Sequence, residues 1–235
     1  MGNLGGVVAV VLILGVVAVF AYLHLQAAEQ RTKALQALAA QRGWQWIDED
    51  ETYVRDWGGE PFGRGRSRRA RNILIGRHGD REIVSFDYEF KTTEGSGDSQ
   101  RTRTHRFAVW LMTLPSPLPA LEVRPEGVFG GRVAAALGMG DLELESEEFN
   151  RAFRVSVDDD RYGSAMMHPR MMEYLLASRQ AQAVSWRIED DVLLSWERHH
   201  AEPDEVVPRL ELLGAIVGLV PSYVWKDFGP QAGPG

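Results

Sequence analysis

Between Gly5 and Leu23 the chain reads GGVVAVVLILGVVAVFAYL, with no charged side chain, and its apolar character continues to Leu25. No other feature restricts the fold so strongly, because a helix of this length spans about 30 Å, the thickness of a bilayer's hydrocarbon core. A cleavable signal peptide would place positive side chains ahead of the apolar run, and residues 1–6 carry none. The run is also long for a signal peptide, so residues 1–25 are predicted to form a retained transmembrane anchor.

The cations give its orientation. None precedes the span, whereas Arg31, Lys33 and Arg42 follow it, and then Arg64, Arg66, Arg68, Arg69 and Arg71. Positive charge gathers on the cytoplasmic side of a membrane protein. The expected topology is therefore a single pass through the cell membrane, with a short amino terminus outside and the bulk of the chain in the cytoplasm.

That bulk is long enough for one sizeable core, and no long polar linker divides it. The chain has no cysteine, which excludes a disulfide scaffold, thiolate metal sites and thiol catalysis. Its net charge of -7 argues against nucleic acid as a partner.

Residues 26–43 are rich in Ala, Leu, Gln and Lys and end at Gly43, the pattern of a juxtamembrane helix continuing the anchor. A globular domain is expected over 44–228, with a covering segment after Trp44 and Trp46, a basic loop at 64–71 and a disordered tail at 229–235. From Ile73 the apolar residues alternate. NILIG, the turn RHGD and REIVSFDYEF predict a hairpin with Val84, Phe86, Tyr88 and Phe90 on one face, and THRFAVWLMTL returns as a third antiparallel strand. The prolines of PSPLP are expected to end that strand. There follow a short strand at LEVR, a short helix around GRVAAALG, a strand-like DLELESEEF, a strand at RAFRVSV and a helix entered through Pro169. AVSWRIE and VLLSW flank Asp190 and Asp191 as a second hairpin, and a final helix covers about 204–219. About seven strands, not strictly alternating with helices, predict an α+β fold with an antiparallel sheet and a carboxy-terminal helix.

The residues that carry chemistry are sparse. Arg64, Arg66, Arg68, Arg69 and Arg71 are the candidate binding residues, either for anionic lipid or for an acidic partner. The run Asp158–Asp160 suits turn and helix-capping chemistry, and the acidic residues from Asp141 to Glu148 suit an exposed surface. Six histidines show no metal-ligand spacing, and His168 is placed to begin a helix. Ser96 lies in TEGSGD, without the strand-turn-helix setting of a nucleophile, and no phosphate-binding glycine loop is present. No catalytic residue, metal or cofactor is assigned.

The opening span, RGWQWIDED, PFGRGRSRRARNILIGRHGDREIVSFDYEF, LPSPLPALEV, ESEEFNRAFRVSVDDD and MHPRMMEYLL together resemble a group of uncharacterised single-pass membrane proteins of actinobacteria. EEFNRAFRV with its Asp-rich turn and the following helix also resembles a wider bacterial domain of unknown function. Neither resemblance implies a catalytic or binding residue. The reading that fits these features is a membrane-anchored, non-catalytic cytoplasmic domain, an adapter or accessory subunit with a membrane-protein partner. An anionic-lipid or ligand-sensing module and an unrecognised hydrolase are the alternatives.

Overall fold

A computed structural model of the chain describes residues 3–55, 57–95, 100–126 and 140–230. Helix α1, Asn3–Arg42, is unbroken. Its apolar half is exposed, with Leu14 and Phe20 each 61% accessible, and it is long and apolar enough to cross a membrane. Its last turns differ: Leu35 and Ala39 are buried against the sheet, so the helix changes environment along its length without changing conformation.

Seven strands form one antiparallel sheet: β1 Gln45–Glu49, β2 Arg66–His78, β3 Arg81–Glu94, β4 Arg101–Pro125, β5 Gly140–Leu142, β6 Phe153–Val157 and β7 Ser185–Glu197. Their order is β1-β2-β3-β4-β6-β5, with β7 paired to β4. This is the α+β architecture expected. The meander β2-β3-β4 forms where the patterning from Ile73 onward predicts strands, and the β2–β3 turn uses Gly79 at φ +63°.

Several expectations need correction. The basic segment is not a loop from Arg66 onward but the first half of β2, with Ala70 opposite Tyr88 and Arg71 opposite Asp87. Bulges between Arg66 and Arg69 and between Arg71 and Leu74 accommodate it, with Ser67 and Asn72 at positive φ. PSPLP does not end β4. Prolines at alternate positions put their missing donors on one edge of a strand. One edge of β4 is unpaired between Met112, which pairs with β3, and Leu121, which pairs with β6. Asp190 does not turn a hairpin either. It takes φ +55° in a single bent strand, β7, and sits opposite Leu118 where β4 also loses register.

The covering segment after Trp44 proves to be strand β1, followed by the short helix α2, Thr52–Arg55. DLELESEEF is a strand only at its start, where Asp141 and Leu142 belong to β5; further on Ser146 caps α3, Glu147–Ala152, by accepting from the Phe149 N–H at 3.2 Å. Two helices, α4 Asp160–Met166 and α5 Pro169–Ala177, replace the one expected; Asp159 caps the first, and Pro169 opens the second. Helix α6, Pro203–Leu219, and the short α7, Ser222–Asp227, complete the fold. The helix proposed around GRVAAALG, the tip 96–99 and the tail from 231 lie outside the described residues.

Both sheet faces are covered. On one, Trp110, Leu74 and Ile83 pack with α1, α5 and α6. On the other, Phe62 from the segment before β2 lies on Phe86 and Tyr88, with ring centroids 6.3 and 4.8 Å away. A continuous apolar layer on each side means that the sheet is a central wall, not a half-solvated one. Trp44 closes the junction between α1 and β2. Its indole donates to the Arg77 carbonyl at 2.9 Å, and a Cβ at Gly76 would come within 2.1 Å of its ring.

Candidate functional site

The site begins where α1 meets the sheet. Apolar residues on successive helix turns dock Leu35 and Ala39, and Arg31, one turn earlier, reaches the polar side of β3. Its guanidinium donates to both carboxylate oxygens of Asp87, at 2.8 and 2.7 Å, and to the Ala201 carbonyl. Asp87 also accepts from Asn72 Nδ2 at 2.9 Å and from the Ala201 N–H at 3.3 Å. A carboxylate that is 3% accessible is tolerated because four donors surround it. The clamp ties together α1, β2, β3 and the segment leading to α6.

Two contacts give the direction of the helix against the sheet. Thr32 reaches Asn72, and Trp44, just past the helix end, reaches Arg77. Ten helical residues rise about 15 Å and five strand residues about 16 Å, so α1 runs nearly parallel to β2 here. The chain thus doubles back: β1 climbs toward the apolar half of α1, β2 descends from it and β3 climbs again. The arginine segment, some 40 residues after the apolar half of α1 in sequence, is returned to the level where α1 leaves the sheet.

This end of the sheet is strongly basic. Residues 66–71 of β2, 88–94 of β3 and 101–106 of β4 hold eight Lys or Arg residues against two Glu, in a chain whose net charge is -7. Arg66, Arg69 and Arg71 lie on the α1 face, opposite Lys91, Glu89 and Asp87. Arg69 and Arg71 share Glu49 at 3.7 and 3.3 Å, and Arg66 donates to Thr93 at 2.7 Å. Arg68 donates to the Arg64 carbonyl, and Arg64 pairs with Glu60 at 3.5 Å. All five arginines singled out in the sequence therefore belong to one end of the sheet. Sequence reasoning missed Lys91, Arg101, Arg103 and Arg106, although the alternation in RTRTHR was a visible signal of a basic strand. It also missed Arg198, which lies over the Phe107 ring at 5.8 Å and comes from the far end of β7.

Arg103, Arg106, Arg198, His105 and His199 line a surface cleft of about 210 Å³. Partial burial and the neighbouring Arg103, Arg198 and Arg64 charges hold the His105 pKa below its ordinary value. Glu89 is the counterweight. A hydrogen bond from His200 at 3.1 Å, together with the Arg106 pair at 2.8 Å, lowers its pKa to about 2 against the cost of burial. A depressed carboxylate pKa adds stability that is present above its ordinary value of 4.5 and is lost as pH falls through about 2. Unfolding of Glu89→Gln, followed by tryptophan fluorescence across that window, should depend less on pH than unfolding of the parent.

Beneath the arginine segment lies a buried ionic core. Arg187 is fully buried, and it donates to the carbonyls of Gly58 and Glu60 at 2.6 and 3.2 Å and to Glu189 at 2.9 Å. It also approaches Glu122, itself buried and paired with Arg124, at 3.5 Å, and it lies over Trp196. The Glu60 carboxylate then faces outward to Arg64 and Arg198. An apolar hollow of about 400 Å³ between Tyr53, Trp57, Ile75, Val84, Leu111 and Val192 is the other notable cavity.

Two further histidines are held within the fold. His168 reaches the Leu219 carbonyl at 2.9 Å, and His199 lies between Glu197 and Glu205 at 3.2 and 3.7 Å. Burial opposes the charged form of His199, but the His200 carbonyl and the two carboxylates raise its pKa overall. Among the described residues no group of three His, Asp or Glu is arranged to hold a metal ion.

No family model matches the chain, and no curated protein matches it in sequence. A solved structure matches in fold: that of the mycobacterial trehalose monomycolate transport factor A, TtfA, superposes with a TM-score of 0.57. The match covers 85% of this chain and 98% of that one at 11% identity, a likeness of fold. That neighbour comes from actinobacteria, as does the group the sequence resembles.

Proposed function

We propose that this chain is a membrane-anchored accessory protein of an envelope process, an adapter whose cytoplasmic domain engages a membrane-protein partner without catalysis. The observation that carries the reading is the unbroken α1, which joins an exposed apolar half to a half clamped by Arg31 and Asp87. A domain held this way stands at a fixed place beneath the bilayer, which serves an adapter better than a freely tethered enzyme. The fold shared with a mycobacterial trehalose monomycolate transport factor supports the same assignment. The cations after the span support an amino terminus outside and a domain inside.

Protease added to inside-out membrane vesicles should degrade the domain, and protease added to intact spheroplasts should leave it whole. Protection in the inside-out vesicles would refute the topology. Crosslinking in cells, followed by purification in mild detergent, should bring down a membrane protein in near-equal amount, and recovery of the chain alone would refute the adapter role.

A further inference from the structure

We infer that the basic end of the sheet is a binding site for the phosphate groups of anionic lipids, seated on the inner surface of the bilayer beside the anchor. The inference rests on the anchored topology proposed above and adds what the domain does there. Its first support is height. With the hydrocarbon edge near Leu25, the Arg31–Asp87 clamp stands about 9 Å below that edge, and the headgroup layer fills the space between. Arg71 and Arg69 rise about 3 and 10 Å above Asn72 along β2, level with helix residues 30 to 25, and the strand ends that carry Arg66, Lys91, Arg101 and Arg103 extend further, so the sheet has to lean away from the helix axis there for these cations to lie along the leaflet. They lie on the sheet face from which α1 has just departed, since the helix residues before Arg31 are exposed.

Charge is the second support. The eight cations of 66–71, 88–94 and 101–106 stand at this end. The opposite end of the same strands, residues 77–82, balances Arg77 and Arg81 with Asp80 and Glu82. Free phosphate would not require this end over the other, whereas a membrane surface meets only the end beside the helix. Arginine forks suit phosphate oxygens, and each cation held near an anionic leaflet adds to an attraction that salt screens.

Because the chain has no cysteine, one reporter can be placed at will. Full-length protein carrying Thr102→Cys, at the basic end, or Asp80→Cys, at the far turn, is labelled with a fluorophore. It is then reconstituted into vesicles of phosphatidylcholine with or without phosphatidylglycerol, containing lipid with a nitroxide on its headgroup. The expected result is several-fold stronger quenching at 102 than at 80 with phosphatidylglycerol present. The difference should shrink with added salt and in the Arg66→Gln, Arg68→Gln, Arg101→Gln, Arg103→Gln variant. Equal quenching at both positions overturns the inference, as does quenching at 102 that ignores lipid charge and salt; either leaves the anchor reading standing. Failure of the protein to float with vesicles after an alkaline wash overturns the anchor and this site with it. Should the fourfold variant fail to fold, the salt titration on the parent still separates binding to anionic lipid from its absence.

Discussion

Replacing Arg187 with methionine should destabilise the domain by about 3–5 kcal/mol, the cost of removing one partner from a buried ion pair. The side chain has no accessible surface, and it serves Gly58, Glu60, Glu122 and Glu189 together. Methionine fills much of the space but leaves two carbonyls without a donor and part of the Glu122 charge without a partner. The urea midpoint of the detergent-solubilised protein measures the loss. A local readout separates this role from general packing. Arg187 holds the backbone just ahead of the arginine segment, so trypsin should cut at Arg64, Arg66 or Arg68 faster in the variant than in a Leu193→Ala control of similar instability. Leu193 lies on the same strand, fully buried, away from that segment. A midpoint within experimental error of the parent would show that the ionic core contributes nothing.

The second large effect is expected at the helix clamp. Arg31→Met removes three of the donor groups that tie α1 to Asp87 and Ala201 and strands a carboxylate that is 3% accessible. The expected loss is again about 3–5 kcal/mol, with Asp87→Ala costing a similar amount. The double variant should be little worse than either single one, because once one partner is gone the other has no pair left to lose. Amide exchange should quicken selectively over residues 31–42 and in the segment before α6, while the β3–β4 ladder keeps its protection. Additive losses in the double variant would mean that the two residues act independently, contrary to the geometry.

How much of this was legible in the sequence varied with the physics involved. The long apolar helix, the β2-β3-β4 meander and the last helix were readable because each depends on a repeating pattern of hydrophobicity: nineteen uncharged residues, alternation from Val84 to Phe90, helical spacing from Val207 to Val217. Proline and aspartate misled. PSPLP and Asp190–Asp191 ordinarily mark strand ends, yet both sit inside long strands, at an unpaired edge and at a bulge that only the pairing of β4 with β7 reveals. The five arginines were visible as a cluster, but their placement beside the anchor was not, since it arises from the chain doubling back twice. Arg31 and Asp87 are separated by 56 residues, and neither stands out from the other charged residues near it. The buried role of Arg187 was equally silent, because an arginine alternating with tryptophan in a strand looks like an exposed one.

The absence of any break in α1 has a geometric consequence. The domain has no joint of its own, so its azimuth about the helix axis and its depth are counted out in residues. One residue added between Leu25 and Arg31 would swing the sheet by about 100° and lower it by about 1.5 Å, while insertions of four or seven would come close to restoring the original facing. In the anchored topology proposed above, the stretch from the bilayer edge to the clamp is thus a ruler and a compass at once. Its length carries information that its ordinary polar side chains do not.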